Sequence, residues 1–149
     1  MAVGEICNRE VVVVQAGLSV AEAARLMRQH HVGDLVVVRE HGGRNEPVGI
    51  VTDRDLVVEV MAAALDSSSL TVGEIMGQEL VTVREDTGVF ESIRYMRDKG
   101  VRRMPVVDAR GGLAGIVTVD DLLDLLAEEL AGLSKLAQVE QKKETGRRR

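Results

Sequence analysis

The chain has no tryptophan, one phenylalanine, one tyrosine, one cysteine and two prolines among its 149 residues. With so few rings, the core has to be assembled from Val, Leu, Ile, Ala and Met, and nucleic-acid bases have little to stack on. The single Cys7 excludes an internal disulfide, in keeping with a reducing compartment. The longest aliphatic runs, residues 11–14 and 35–38, fall far short of the ~20 residues a membrane helix needs, and no basic flank with a cleavage site precedes them. No P-loop, no GxSxG elbow and no HExxH helix occurs. His30, His31 and His41 with Cys7 match no standard zinc spacing. We expect a cytoplasmic globular protein that binds neither membrane nor nucleic acid, holds no metal and has no catalytic residues.

Charge is unevenly spread. The net charge is -5, yet residues 135–149 carry six basic side chains against two acidic ones, so the body before them is acidic. A basic run ending in Arg147, Arg148 and Arg149 on an acidic, aromatic-poor body reads as a solvated, frayed tail.

What is present is a duplication. VGEIC at 3–7 returns as VGEIM at 72–76, and GIVTDRDL at 49–56 returns as GIVTVDDL at 115–122. The offsets are 69 and 66, so the first copy holds three extra residues, which fall in the Gly-rich stretch before GIVT where length changes cost little. Two copies of this length suggest two half-domains packed about a pseudo-two-fold axis, each too small to be comfortable alone.

Periodicity switches in the same order within each copy. Short β-branched runs at 11–14 and 80–83 are followed by helical spacing of Val20, Ala24 and Met27, or of Val89, Ile93 and Met96. Ser19 with Glu22 forms a capping box, and Asp86 or Thr87 is placed to cap the second helix. Strands at 34–39 and 104–108, a Gly-containing turn, and strands at 48–52 and 113–118 make hairpins. A second helix starts near Asp53 and near Val119. The predicted fold is α+β, each repeat reading strand, helix, strand, strand, helix: 1–64 is the first repeat, 65–71 with its serines a linker, 72–128 the second repeat, and 129–149 a helical extension with the basic tail. Along the C-terminal helix Leu123, Leu126, Leu130, Leu133 and Ala137 keep the spacing of a helix seam, for the chain's own body or for a second subunit.

These carriers, VGEIC and VGEIM, MRQHHVGDLVVV and MRDKGVRRMPVVD, GIVTDRD and GIVTVDD, in order and twice, resemble the CBS domain family in its tandem-pair form, over residues 3 to about 128. The resemblance implies a regulatory sensor whose clefts hold an adenosine-containing ligand such as AMP, ADP, ATP or S-adenosylmethionine, with no cofactor required, in a module that commonly assembles as a homodimer. The seam on the C-terminal helix is expected to serve that dimer.

Thr52 and Thr118 stand where a strand runs into a helix, so a hydroxyl and free amides point the same way and suit a phosphate. Asp55 and Asp121, three residues on, are placed to hold the 2′ and 3′ hydroxyls of a ribose, the role these residues have in the resembling family. The same Thr-x-x-Asp spacing equally makes a helix capping box with no ligand at all. Arg102 and Arg103 lie where nucleotide-binding relatives place basic groups on phosphates. Their counterparts in the first repeat are Gly33 and Asp34, and Asp53 adds further negative charge, so we expect two unequal clefts, of which at most the one reached by Arg102 or Arg103 takes a phosphorylated ligand well. Val83, Met104 and Ile116 are candidates for an adenine wall, or simply core. The alternative to a nucleotide sensor is a dimeric interaction or stress-response scaffold with no physiological nucleotide, acting on an unknown regulated protein.

Overall fold

In the computed structural model, which describes residues 1–148, the two repeats each build a three-stranded sheet. In the first, β1 (Val13–Gln15) runs parallel to β2 (Asp34–His41) because α1 (Val20–His30) carries the chain back between them. β2 then turns into antiparallel β3 (Arg44–Thr52) through Gly42 and Gly43, whose φ angles of 59° and 77° are the left-handed pair that a two-residue hairpin requires. This hairpin is longer at both arms than the sequence suggests, and its ladder slips between Val37 and Val38.

The second repeat repeats the plan. β4 (Val83–Arg84) pairs parallel with β5 (Arg103–Val107), α4 (Val89–Lys99) connects them, and β6 (Leu113–Thr118) flanks β5. Its turn is held by Asp108, whose carboxylate accepts from the amides of Arg110 and Gly112 at 2.8 and 3.0 Å. Those bonds favour the charged form and hold its pKa below the ordinary 3.8.

The helix starts depart from expectation. Ser19 Oγ accepts from Glu22 N as foreseen, but the Glu22 carboxylate turns to Arg25 instead of closing the box. Neither Asp86 nor Thr87 caps α4: Gly88 is the N-cap, Asp86 pairs with Arg84, and the Thr87 carbonyl accepts from Val3 N. Glycine stands at 88 where the first repeat has Ser19, and the duplicated VGEI segments beside these helix starts are exchanged. Residues 3–7 dock on the second repeat, with Val3 N on Thr87 O and Gly4 N on Glu85 O, while Val89 N donates to Met1 O. Residues 72–76, including the short α3 (Val72–Ile75), dock on the first repeat, with Val72 N on Leu18 O, Gly73 N on Ala16 O, and Val20 N on Leu70 O. These are the same bonds shifted by one repeat, and each arm supplies the carbonyl that the other repeat's helix start lacks.

Val3 and Val72 are accordingly fully buried. Val72 joins Val14, Ala23, Met27, Leu35, Val37 and Val51 in the first repeat's core. A second cluster joins the repeats: Val36, Val38 and Ile116, flanked by Val11, Ile50 and Leu113. The glycine of each GIVT makes room for the exchanged arm. A Cβ on Gly49 would lie 2.4 Å from Met76 Sδ, and one on Gly115 would lie 2.6 Å from the Asn8 carbonyl and 2.7 Å from Cys7 Sγ.

After Thr52 the chain makes a turn of α-helix, α2 (Asp53–Asp55), then widens to i→i+5 bonding over Leu56–Met61, as in Ala62 N to Val57 O. The chain clusters into two compact units, Met1–Val117 and Thr118–Arg149. The second is dominated by α5 (Val119–Arg148), a single 30-residue helix. Its basic end is not frayed: the helix continues to Arg148, which pairs with Glu144 one turn earlier, and Arg149 lies outside the described residues. Leu123, Leu130 and Leu133 of the expected seam stand exposed.

Candidate functional site

Thr52 is the last residue of β3, and its ladder partner is Asp34, the first residue of β2. The hairpin therefore sets a hydroxyl and a carboxylate side by side at the end of the sheet where α2 begins. Asp53 N donates to Gly33 O at 2.9 Å, which closes the turn. Thr52 Oγ1 accepts from Asp55 N at 3.1 Å, and Asp55 Oδ2 accepts from Thr52 N at 2.9 Å. The capping box is thus fully formed, and it is formed again by Thr118 and Asp121 at 3.1 and 3.0 Å.

That box leaves chemistry to spare. Each threonine hydroxyl acts in it as an acceptor, so its own hydrogen is still available to donate, and each carboxylate has a second oxygen with lone pairs. Capping and ligand contact are compatible at one residue.

A cleft of about 420 Å³ opens beside the first of these boxes. Thr52, Asp53, Arg54 and Asp55 of the first repeat form one side, and Val101, Arg102 and Arg103 of the second form another. Residues Gly77, Glu79, Leu80 and Val81, which follow the exchanged arm, complete the lining with Ile50. Its volume lies in the range of small-molecule sites. The structure brings together four of the six residues singled out in the sequence, Thr52, Asp55, Arg102 and Arg103. Thr118 and Asp121 belong to the other compact unit, where they share the box just described.

Of the candidate adenine walls, Met104, Val83 and Ile116 are only 0–6% exposed and belong to the core. Leu80 and Val81 line the cleft in their place. The short run at 80–83 reads as a strand in the sequence, but only its last residue is in β4.

The two arms of the predicted asymmetry meet. Arg103 Nε lies 3.6 Å from Asp34 Oδ2, an ion pair between the two repeats made by residues that align with each other. Both side chains are about one-quarter to one-third exposed. The separation exceeds hydrogen-bond reach, so the buried Nε–H of Arg103 has no acceptor among the described residues. Burial pushes the Asp34 carboxyl above its ordinary pKa, Arg103 opposes that shift, and Asp53 adds to it. The aligned arginine and aspartate are thus paired with each other, and of the two only Arg103 lines the cleft.

A repeated strand-helix-strand-strand-helix unit, with exchanged VGEI arms and a Thr-x-x-Asp box at each second helix start, defines a tandem α+β pair. The family model for the CBS domain matches residues 3–62 and 72–128, and the chain belongs to that family. It is 40% identical over 125 residues to an uncharacterized protein of Methanopyrus kandleri, MK0525, covering 84% of this chain and 62% of that protein's length. Among solved structures, the CBS domain pair of protein MJ0100 in complex with 5′-methylthioadenosine and S-adenosyl-L-methionine superposes with a TM-score of 0.72 at 29% identity, covering 87% of this chain and 98% of that one. The cytosolic domain of the Mg2+ channel MgtE in complex with ATP superposes with a TM-score of 0.70 at 36% identity, covering 83% of this chain and 48% of that one.

Proposed function

We propose that this chain is a regulatory module, without catalysis of its own, that binds an adenosine-containing ligand in the cleft beside Thr52 and Asp55. The observation that carries this reading is the convergence on one cleft of about 420 Å³ of a threonine and an aspartate from the first repeat with Arg102 and Arg103 from the second. Asp55 holds the ribose hydroxyls, Thr52 donates to the first phosphate or its equivalent, Arg102 and Arg103 face that group, and Leu80 and Val81 pack on the base. Adenosyl ligands in a related CBS pair of 29% identity support the ligand class. Thr118 and Asp121 are proposed as contacts on their equivalence in sequence and local geometry.

Because the lining comes from both repeats, a ligand gains all its contacts only in one arrangement of them. Its differential affinity then shifts the population of arrangements and alters the surface offered to a regulated protein. The exposed leucines of α5 favour a homodimer as the assembly that does this. The chain spans only 62% of the Methanopyrus relative's length, so the regulated partner is left open.

Thermal unfolding against AMP, ADP, ATP, S-adenosylmethionine and NADH tests the reading. A ligand that binds only the folded state raises the midpoint with concentration. The expected result is a rise with at least one adenosyl compound, lost in Asp55→Ala. No rise with any of them would favour the ligand-free dimeric scaffold.

A further inference from the structure

The cleft is electrostatically balanced before any ligand arrives. Its charged lining comprises Arg54, Arg102 and Arg103 against Asp53, Asp55 and Glu79. Asp34 is not part of that lining, but it holds Arg103, the cation that enters from the second repeat, at 3.6 Å. Of the three arginines, Arg103 is thereby already engaged by a carboxylate, and Asp53, one residue from Thr52, faces the same end of the sheet. A ligand with one phosphate needs little more than the positive charge of Arg102 and a hydrogen bond from the Thr52 hydroxyl. Each additional phosphate has to be placed against Asp53 and Asp34, or has to displace Asp34 from Arg103 and leave that carboxylate half-buried and unpaired.

We propose that Asp34, through its grip on Arg103, limits the negative charge this cleft accepts, so that it favours adenosyl ligands bearing one phosphate or none over triphosphates. The claim rests on the adenosyl reading above and narrows it to a ligand class. Asp34 acts here as a specificity-determining residue that touches Arg103 rather than the ligand. The Nε–H of Arg103 fits this account: it is buried without an acceptor, and the ion pair leaves it too far from Asp34 to be satisfied. The pair holds by charge alone, and replacing the carboxylate with an amide frees the guanidinium for phosphate oxygens.

Calorimetric titration of the full chain with adenosine, AMP and ATP, for the wild type and for Asp34→Asn, tests this. Two additional charges set several ångströms from a carboxylate in a wet cleft amount to about tenfold in affinity. The wild type is therefore expected to bind AMP about tenfold more tightly than ATP, and Asp34→Asn to close most of that gap by gaining ATP affinity. The wild-type ratio stands without the variant, and circular dichroism of Asp34→Asn confirms that it is folded. Wild-type protein that binds ATP as tightly as AMP, or a folded variant with an unchanged ratio, would overturn the charge limit while leaving the adenosyl reading intact. No binding of adenosine, AMP or ATP would overturn the charge limit, and the adenosyl reading with it when S-adenosylmethionine also leaves the unfolding midpoint unmoved.

Discussion

The two GIVT segments of this chain are nearly the same in sequence and are put to different use. Each ends in a threonine that closes a capping box with an aspartate three residues on, and the bond lengths agree within 0.1 Å. After Thr52 and Asp55 the helix widens to i→i+5 bonding and ends by residue 61, whereas after Thr118 and Asp121 it runs on to Arg148 as regular α-helix. Asp53 follows Thr52 where Val119 follows Thr118. The box is thus a helix start in both repeats, and what distinguishes the first is its surroundings: an arginine pair from the second repeat and an additional carboxylate. A motif shared by two repeats reports how the chain folds, and its unshared neighbours report what it binds.

The sharpest way to break the symmetry is at the glycines of those segments. At Gly115 a Cβ would meet the backbone carbonyl of Asn8 at 2.6 Å, which cannot move without withdrawing the N-terminal arm. At Gly49 the obstacle is Met76 Sδ, the end of a flexible side chain. Gly115→Ala should therefore cost about 3 kcal/mol in urea unfolding and Gly49→Ala less than ~1 kcal/mol, because overpacking is relieved only where a neighbour can yield. Equal costs would mean that the two arms are not docked as described.

That exchange leaves no trace in the local sequence pattern. The hairpins, the helices of alternating strands and helices, and the Thr-x-x-Asp boxes follow from local pattern, and each was legible. Which repeat each VGEI arm docks on was not, because VGEIC and VGEIM are so alike that either fits either repeat. The absent side-chain cap at Gly88 has a local cause: glycine stands where the first repeat has Ser19. For the site, Asp34 and Arg103 align as equivalents, and nothing in the repeat pattern shows that they pair with each other. Residues equivalent by an internal two-fold face each other when they lie near its axis, and no spacing rule shows which residues those are.

A smaller contrast lies at the ends of the first helices. α1 stops at His31 and α4 at Gly100, both left-handed, with φ of 55° and 68°. Only glycine takes that conformation without steric cost. His31→Gly should stabilise the chain by ~0.5–1 kcal/mol and Gly100→Ala destabilise it by ~1 kcal/mol, both read from thermal midpoints. If both changes shifted the midpoint in the same direction, the αL cost would not be the controlling factor.

The smallest effect is expected from pH. The folded-state pKa of Asp34 is raised above its ordinary 3.8, chiefly by burial, so folding favours the protonated carboxyl. The associated stability is complete below the unfolded value and is lost as pH rises through the raised folded value. Asp34→Asn removes that loss, so the variant's stability relative to wild type should improve as pH is raised from about 4 to about 7. Urea curves at stepped pH check this, and parallel pH profiles for the two proteins would show that Asp34 does not carry the linkage.

The central claim is that the cleft joining the Thr52–Asp55 box to Arg102 and Arg103 holds an adenosyl ligand. Calorimetric titration of AMP into the wild type and into Asp55→Ala tests it most directly. The account predicts saturable binding to the wild type that weakens by at least about tenfold in the variant, since a ribose held by hydrogen bonds to a carboxylate loses a charge-assisted contact; saturable binding of equal strength in both proteins would contradict it.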